Sequence, residues 1–380
     1  MQVKQTTAHS PAQLAGRLAE LAGFDADLLL VFGSVDYFKS PTLADQLAQA
    51  CPQAVLAGCS TAGEITADGV SDNSLTLTAL RLEKTGLRVA ETTLAGMQDS
   101  EAAGQRLGQQ LTGAGVRAVL IFGPGLNING SGVVDGLGRV LGGSTPITGG
   151  LAGDGGAFRQ TFTLAPSGIA NNRVVAIGLT GDALSFAHGS FGGWESFGPA
   201  RKVTRSVDNV LYELDGEPAL DIYKRYLGEY AKDLPASGLL FPFAMLGADH
   251  GAVGLIRTIL GINEAEGSLT LAGSIDPNGY LKLMHASTDK LVDGAEAAAQ
   301  AAQTMRQDGG NGLAILISCV GRKLVMGDRI DEEIESVADV FGAQAPLTGF
   351  YSYGEISPFA PGCECKLHNQ TMTITWLGEA

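Results

Sequence analysis

Three short apolar runs punctuate the chain: LLLVFG (Leu28 to Gly33), AVLIFG (Ala118 to Gly123) and LAILIS (Leu313 to Ser318). Five or six apolar residues without a polar break suit strands covered on both faces. A second kind of run alternates, as in LTLTAL ending at Leu80 and TMTITWL ending at Leu377, and suits a strand with one face covered. Between the runs lie segments with helical spacing: SPTLADQLAQA, SGVVDGLGRVLG and DEEIESVADVFG, the last stopped by Gly342. Further helices are predicted over 101–111, 218–227 and 291–305, and Ser10-Pro11 and Ser40-Pro41 read as capped helix starts.

The elements recur in one order. After each buried strand and helix comes a second apolar run closing on glycine and an acid: AVLAGCSTAGE at Glu64, TPITGGLAGD at Asp154 and APLTGFYSYGE at Glu355. An asparagine (Asn73, Asn172, Asn369) then opens a closing strand. The spacing from Gly33 to Gly63 equals that from Gly123 to Gly153. Recurrence at this scale predicts a repeated β-α-β-β unit, in which Asp154 stands where Glu64 and Glu355 do. A degenerate fourth copy is expected between FPFAMLG and LKLMHAS, with Asp276-Pro277-Asn278-Gly279 as a hairpin turn. The predicted fold class is α/β (α+β): repeated β-α-β-β units forming mixed sheets flanked by helices. Two domains are expected, 1–190 with two units and 191–380 with one clear and one degenerate unit.

Composition narrows the partners. The 380 residues are 45% apolar and 17% charged, with a formal net charge of −15. An acid excess disfavours direct binding to nucleic acid or to an anionic membrane surface. The N-terminal stretch lacks a signal-peptide core and no run of about 18 apolar residues offers a span, so a cytoplasmic protein is expected. Five irregularly spaced cysteines point to free thiols or a metal site.

Several catalytic patterns fail. GCSTAG has Ala62 where a nucleophile elbow after Ser60 needs glycine, and AVLIFGPGLNING has Ile128 where the dinucleotide fingerprint needs its third glycine. No phosphate-cradling Gly-Lys-Ser/Thr sequence occurs. No enzyme is expected; one using Ser60 or Cys59 would need a convergent histidine and acid.

GCSTAGEI near the N-terminus, then ELDGEPALDIYKRYLG, RTILGIN, LISCVGR, GFYSYGEI and HNQTMT in order, resemble the N- and C-terminal parts of the FIST family of sensory domains. HGSFGGWESFG and LHNQTMTITWL look most like its nitric-oxide-sensing haem branch. The resemblance implies a ligand sensor without catalysis, carrying haem and regulating a histidine kinase or a cyclic-di-GMP enzyme, with a homodimer as a further expectation. A haem sensor needs an iron ligand and an apolar slot. His188, followed by Phe191 and Trp194 as walls, is the first candidate ligand, then His285, then His250. The alternative is a small polar metabolite such as an amino acid, held between Glu64, Glu355, Arg257 and Arg322. Cys363, Cys365 and His368 form a third candidate, part of a zinc or iron site.

Overall fold

The computed structural model describes every residue except 114, 307–310, 343 and 360–361. Three six-stranded sheets share one plan, built on the three buried strands Leu28–Gly33, Val116–Gly123 and Gly312–Cys319. Each buried strand pairs in parallel with the second strand of its unit, Val55–Ser60, Ile147–Leu151 or Leu347–Ser352. On its other side lies the antiparallel closing strand, Leu75–Arg81, Arg173–Thr180 or Met372–Glu379. An edge strand that precedes each unit, Gln2–Ala8, Gly86–Thr93 or Leu184–Phe191, completes the set.

The registers make the units equivalent residue by residue. Gly58, Gly149 and Gly349 lie opposite Val31, Ile121 and Leu316, and a Cβ on any of them would overlap that residue's carbonyl. Glycine here lets two buried strands approach each other, which explains the glycine inside each second run.

The remaining two strands of every sheet come from another unit. The hairpin Glu64–Thr66 with Gly69–Ser71, from the first unit, extends the third unit's sheet through pairing with Leu347–Ser352. Thr163–Ala165 with Gly168–Ala170, from the second, extends the first unit's sheet. Gly354–Pro358 with Cys365–His368, from the third, extends the second unit's sheet. The exchange therefore runs in a closed cycle.

Inward-facing residues of all three sheets meet in one apolar core, whose centre is the ring contact of Phe32 with Phe350 at 4.7 Å and with Phe122 at 5.5 Å. Outward-facing residues of the same strands pack under helices, Leu29 and Val31 in one cluster, Val119 and Ile121 in another, Ala314 and Leu316 in a third. Both faces being covered accounts for the uninterrupted apolar runs.

Three expectations are corrected. Pairing places Thr163, not Asp154, at the position of Glu64 and Glu355, because these three lie opposite the equivalent residues Cys59, Phe350 and Gly150. Ten residues, 153 to 162, precede the second unit's hairpin, so the equal glycine spacing did not mark equivalence. Likewise Gln370, not Asn369, matches Asn73: both have left-handed backbones, with φ of 64° and 58°. Finally, no fourth β-α-β-β copy forms. The 195–285 region folds as an antiparallel sheet of nine strands, inserted between the edge strand and the Thr288–Met305 helix of the third unit. Asp276 to Gly279 does turn the chain, yet the strands it joins, Ser268–Leu271 and Tyr280–His285, pair with different partners. The inserted sheet has its own core around Leu211, Tyr223, Phe243 and Leu269.

The two expected helix starts also differ in detail. Ser10 precedes a short 3-10 turn without a side-chain cap, and the helix after Ser40 begins only at Leu43. No helix among the described residues is long and apolar enough to cross a membrane.

Candidate functional site

The acids of the first and third units are held in matching clamps. Glu64 accepts hydrogen bonds from the Thr61 hydroxyl and from the amide and hydroxyl of Ser74. Glu355 accepts them from the Ser352 hydroxyl and from the amide and hydroxyl of Thr371. Burial outweighs these donors and pushes the carboxyls up, to about 7 for Glu64 and about 8 for Glu355. Each clamp ties a hairpin to the start of its own closing strand, a structural duty. Asp154 lies elsewhere: it takes the amides of Phe158, Arg159 and Gln160 and the Tyr353 hydroxyl, and Phe158 stacks on Tyr353 at 4.2 Å.

Arg322 and Arg257 are both buried, with opposite surroundings. Arg322 is ion-paired to Glu333 at 2.7 Å and also donates to the carbonyls of Gly192 and Leu291. The Glu333 carboxylate is completed by Ser318 and Tyr351. Arg257, 3% exposed, finds only carbonyls: Nε donates to Ser274, and Nη1 to Ile256 and Leu367. Among the described residues no carboxylate pairs with it and Nη2 donates to nothing. Burial pushes this guanidinium down to about 10, so it remains charged at neutral pH.

Arg257 sits at the seam where the inserted sheet meets the three-sheet body. Its Nη1 reaches Leu367, on a strand of the second sheet, and Asn129, which caps the Gly130–Leu141 helix, lies 3.5 Å from Ser274. Several buried polar atoms of residues at or next to this seam have no hydrogen-bond partner among the described residues: Ser131 Oγ, Thr258 Oγ1, His368 Nδ1 and Asn369 Oδ1. Native interiors leave few buried polar atoms unpaired, so these are groups a ligand or water could satisfy. A cavity of about 190 Å³ opens at the same seam, walled by Asn129 and Gly130, by Leu271 and Gly273 of the inserted region, and by Tyr353 and Leu367.

The predicted haem residues do not assemble a slot. His188 is buried on the edge strand Leu184–Phe191 opposite Thr375, and burial pushes its imidazole down to about 4, with Nδ1 unpartnered among the described residues. Its expected walls lie apart. Phe191 is 55% exposed, and Trp194 packs among Ile256, Met284 and Leu291 while donating to the Gln370 carbonyl. His285 is exposed at a strand end near Phe197, and His250 is exposed in a turn, its ring 3.9 Å from that of Tyr280 and tilted to it. These residues as arranged do not fit a haem.

The metal candidate also separates. Cys365 and His368 stand three positions apart on one strand, hence on opposite faces. The Cys365 thiol is buried, accepts the Ile147 amide and is pushed up to about 11 by burial. His368 gives Nε2 to the Ser357 carbonyl, and Cys363 is exposed. Among the described residues no group of three His, Cys, Asp or Glu is placed to hold a metal. Of the metabolite set, Glu64, Glu355 and Arg322 are each consumed by internal partners, leaving Arg257. Ser60 and Cys59 are fully buried, Ser60 donating to the Gly153 carbonyl, and burial raises the Cys59 thiol. The sequence reading missed Ser131, Thr258 and Gly273; the Asn129-Gly130-Ser131 helix start was the available signal.

The structure thus combines a mixed α/β body with an inserted antiparallel sheet. The chain belongs to the FIST family of signalling sensor domains: residues 27–217 match the FIST N domain and 219–358 the FIST C domain. It is 36% identical over 100 residues to an uncharacterized protein of Methanocaldococcus jannaschii, a match covering 26% of this chain and 19% of that relative's length. Among solved structures it resembles cyanuric acid hydrolase from A. caulinodans, with a TM-score of 0.36 and 8% identity over 99% of both chains.

Proposed function

We propose that this chain senses a small metabolite bound at the seam cavity, and that occupancy biases how the inserted sheet sits on the three-sheet body. The observation that carries this reading is Arg257, a buried cation beside the seam whose hydrogen bonds all go to carbonyls, with Asp135 acting on it through its field but not in hydrogen-bond contact. Burying a charge without a counter-charge is expensive, and a ligand that supplies one recovers part of that cost. The surrounding orphaned polar atoms offer further donors and acceptors. A ligand with different affinities for two arrangements shifts their populations, which is all a sensor requires.

The seam suits such coupling. Tyr353 walls the cavity, and its hydroxyl joins the Asp154 carboxylate that orders residues 158 to 160. A change at the seam is thereby felt in an exposed loop. The reader of that change would be a signalling partner, a histidine kinase or a cyclic-di-GMP enzyme.

A thermal-shift screen of small metabolites against the wild-type chain and Arg257→Met tests the proposal. Hits that stabilise the wild type and lose their effect in the variant are expected, since a ligand at 100 times its Kd stabilises by about 2.7 kcal/mol. A screen whose hits all survive the substitution would overturn it.

A further inference from the structure

We infer that the second unit carries a site of its own, separate from the seam cavity, for a small neutral aromatic bearing one hydrogen-bond donor, an indole or a phenol. The site goes beyond the seam reading and does not depend on it.

The other two units supply the comparison. Glu91 and Ser190 are equivalent, because they face Val175 and Thr373, which in turn face Phe122 and Ile317. Counting on from these positions sets Ala95 against Trp194, and Asn127 against Arg322 and, from Phe32, Tyr37. In the third unit both positions are large. Trp194 is 9% exposed and its indole donates to the Gln370 carbonyl at 2.8 Å, while Arg322 is fully buried. In the first unit Tyr37 is 5% exposed and its phenol donates to the Ala8 carbonyl at 3.0 Å. The second unit has Ala95 and Asn127 instead, and both line an open cleft of about 280 Å³. Its backbone differs as well: Asn127 is left-handed, with φ of 56°, and no short helix forms there like those at Val35–Phe38 and Val320–Met326.

Elsewhere, then, a ring with one O–H or N–H fills this place, and the walls of the cleft suit another. Leu94, Pro124 and Leu126 give it apolar surface, and the exposed carboxamides of Asn127 and Asn171 give acceptors that no internal hydrogen bond occupies among the described residues. A charged ligand is selected against. Ser318, Glu333 and Tyr351, which surround Arg322 in the third unit, are matched by Gly123, Val133 and Leu151, and no wall residue is charged. A cation or an anion would lose hydration there with no counter-charge to replace it. Size agrees, since an apolar cavity of about 150 Å³ already admits benzene.

Fluorine NMR titration of the full chain with 5-fluoroindole, its N-methyl derivative, 4-fluorophenol and 4-fluorobenzoate tests this. 5-Fluoroindole and 4-fluorophenol are expected to give saturable shifts, the N-methyl derivative to bind about 2- to 10-fold more weakly than 5-fluoroindole, and 4-fluorobenzoate at least about tenfold more weakly. Ala95→Trp, which puts the third unit's ring into the cleft, is expected to weaken both donors at least about tenfold. Asn171→Tyr adds a ring to another wall and keeps the test open if Ala95→Trp fails to fold. Neither residue walls the seam cavity, so Arg257→Met is expected to leave binding unchanged. Binding that survives both closing variants overturns the site, the more so if Arg257→Met abolishes it. An N-methyl derivative that binds as well as 5-fluoroindole overturns the donor requirement, and a preference for 4-fluorobenzoate overturns the neutral class. No saturable shift with either donor-bearing probe overturns the proposal and leaves the seam reading standing.

Discussion

Arg322 and Glu333 meet at 2.7 Å with neither side chain exposed, whereas Arg257, equally deep, meets no carboxylate among the described residues. Two buried guanidinium groups in one chain thus have opposite status. The first is paired directly inside the fold, and the second hydrogen-bonds carbonyls and feels a carboxylate, Asp135, only at a distance.

Substitution should separate them. Arg322→Met strands the Glu333 carboxylate and is expected to destabilise the fold by about 3–5 kcal/mol, the usual cost of breaking a buried pair. Arg257→Met strands no hydrogen-bonded carboxylate but takes the donor away from three carbonyls, and is expected to cost less, about 1–3 kcal/mol. Urea unfolding of both variants provides the comparison.

Stability should depend on pH through Glu64 and Glu355. Their folded values, about 7 and about 8, lie above the ordinary 4.5, so the folded state retains protons that the unfolded chain has released. The associated stability is fully present below pH 4.5 and is lost as pH rises through 7 to 8. Unfolding curves at pH 6.5 and pH 9, above the range in which the lowered imidazoles of His188 and His368 act in the opposite sense, are expected to differ by an amount on the order of a few kcal/mol. Glu64→Gln with Glu355→Gln should flatten that difference.

Alanine at Gly58, Gly149 or Gly349 would place a methyl group on the facing strand's carbonyl. Because that atom is backbone in a covered sheet, it has nowhere to move. Each substitution is expected to cost upward of about 3 kcal/mol, read as lost soluble yield or a lower unfolding midpoint.

Haemin added to the purified protein is expected to give no saturable one-to-one Soret band. A band that saturates at one equivalent and disappears in His188→Ala would show that His188 reaches iron after all, and that Phe191 and Trp194 rearrange around it.

Much of the fold was legible because strands covered on both faces must be apolar throughout, and LLLVFG, AVLIFG and LAILIS are. The helices expected over 101–111, 218–227 and 291–305 were legible for the complementary reason, one apolar face at helical spacing. The exchanged hairpins were not. Nothing local to Glu64-Ile65-Thr66 announces that its partner is Thr348 to Phe350, since pairing register is set by packing and not by neighbours in sequence. Counting from glycine to acid misplaced Asp154, because ten residues precede the second hairpin and such insertions leave no periodic trace. The Cys365 and His368 pairing failed on a point the sequence did contain: three residues along a strand is an odd step, and odd steps point to opposite faces. Arg257 was named from the sequence, but with Glu64 and Glu355 as companions. Of its real neighbours, Gly273 follows closely in sequence but Ser131 lies more than a hundred positions earlier, and only the folded chain brings them together.

The closed cycle of exchanged hairpins has a consequence for synthesis. Residues 64 to 66 leave the ribosome more than 280 residues ahead of the strand they complete. Until then the early hairpin has no native sheet to join, and the first unit's own sheet waits for a segment from the second. Folding is thus non-local by construction and slow for its size. The molecule becomes whole only when its last strands have emerged, so a nascent chain must be kept from pairing those bare edges with a neighbour on the same message.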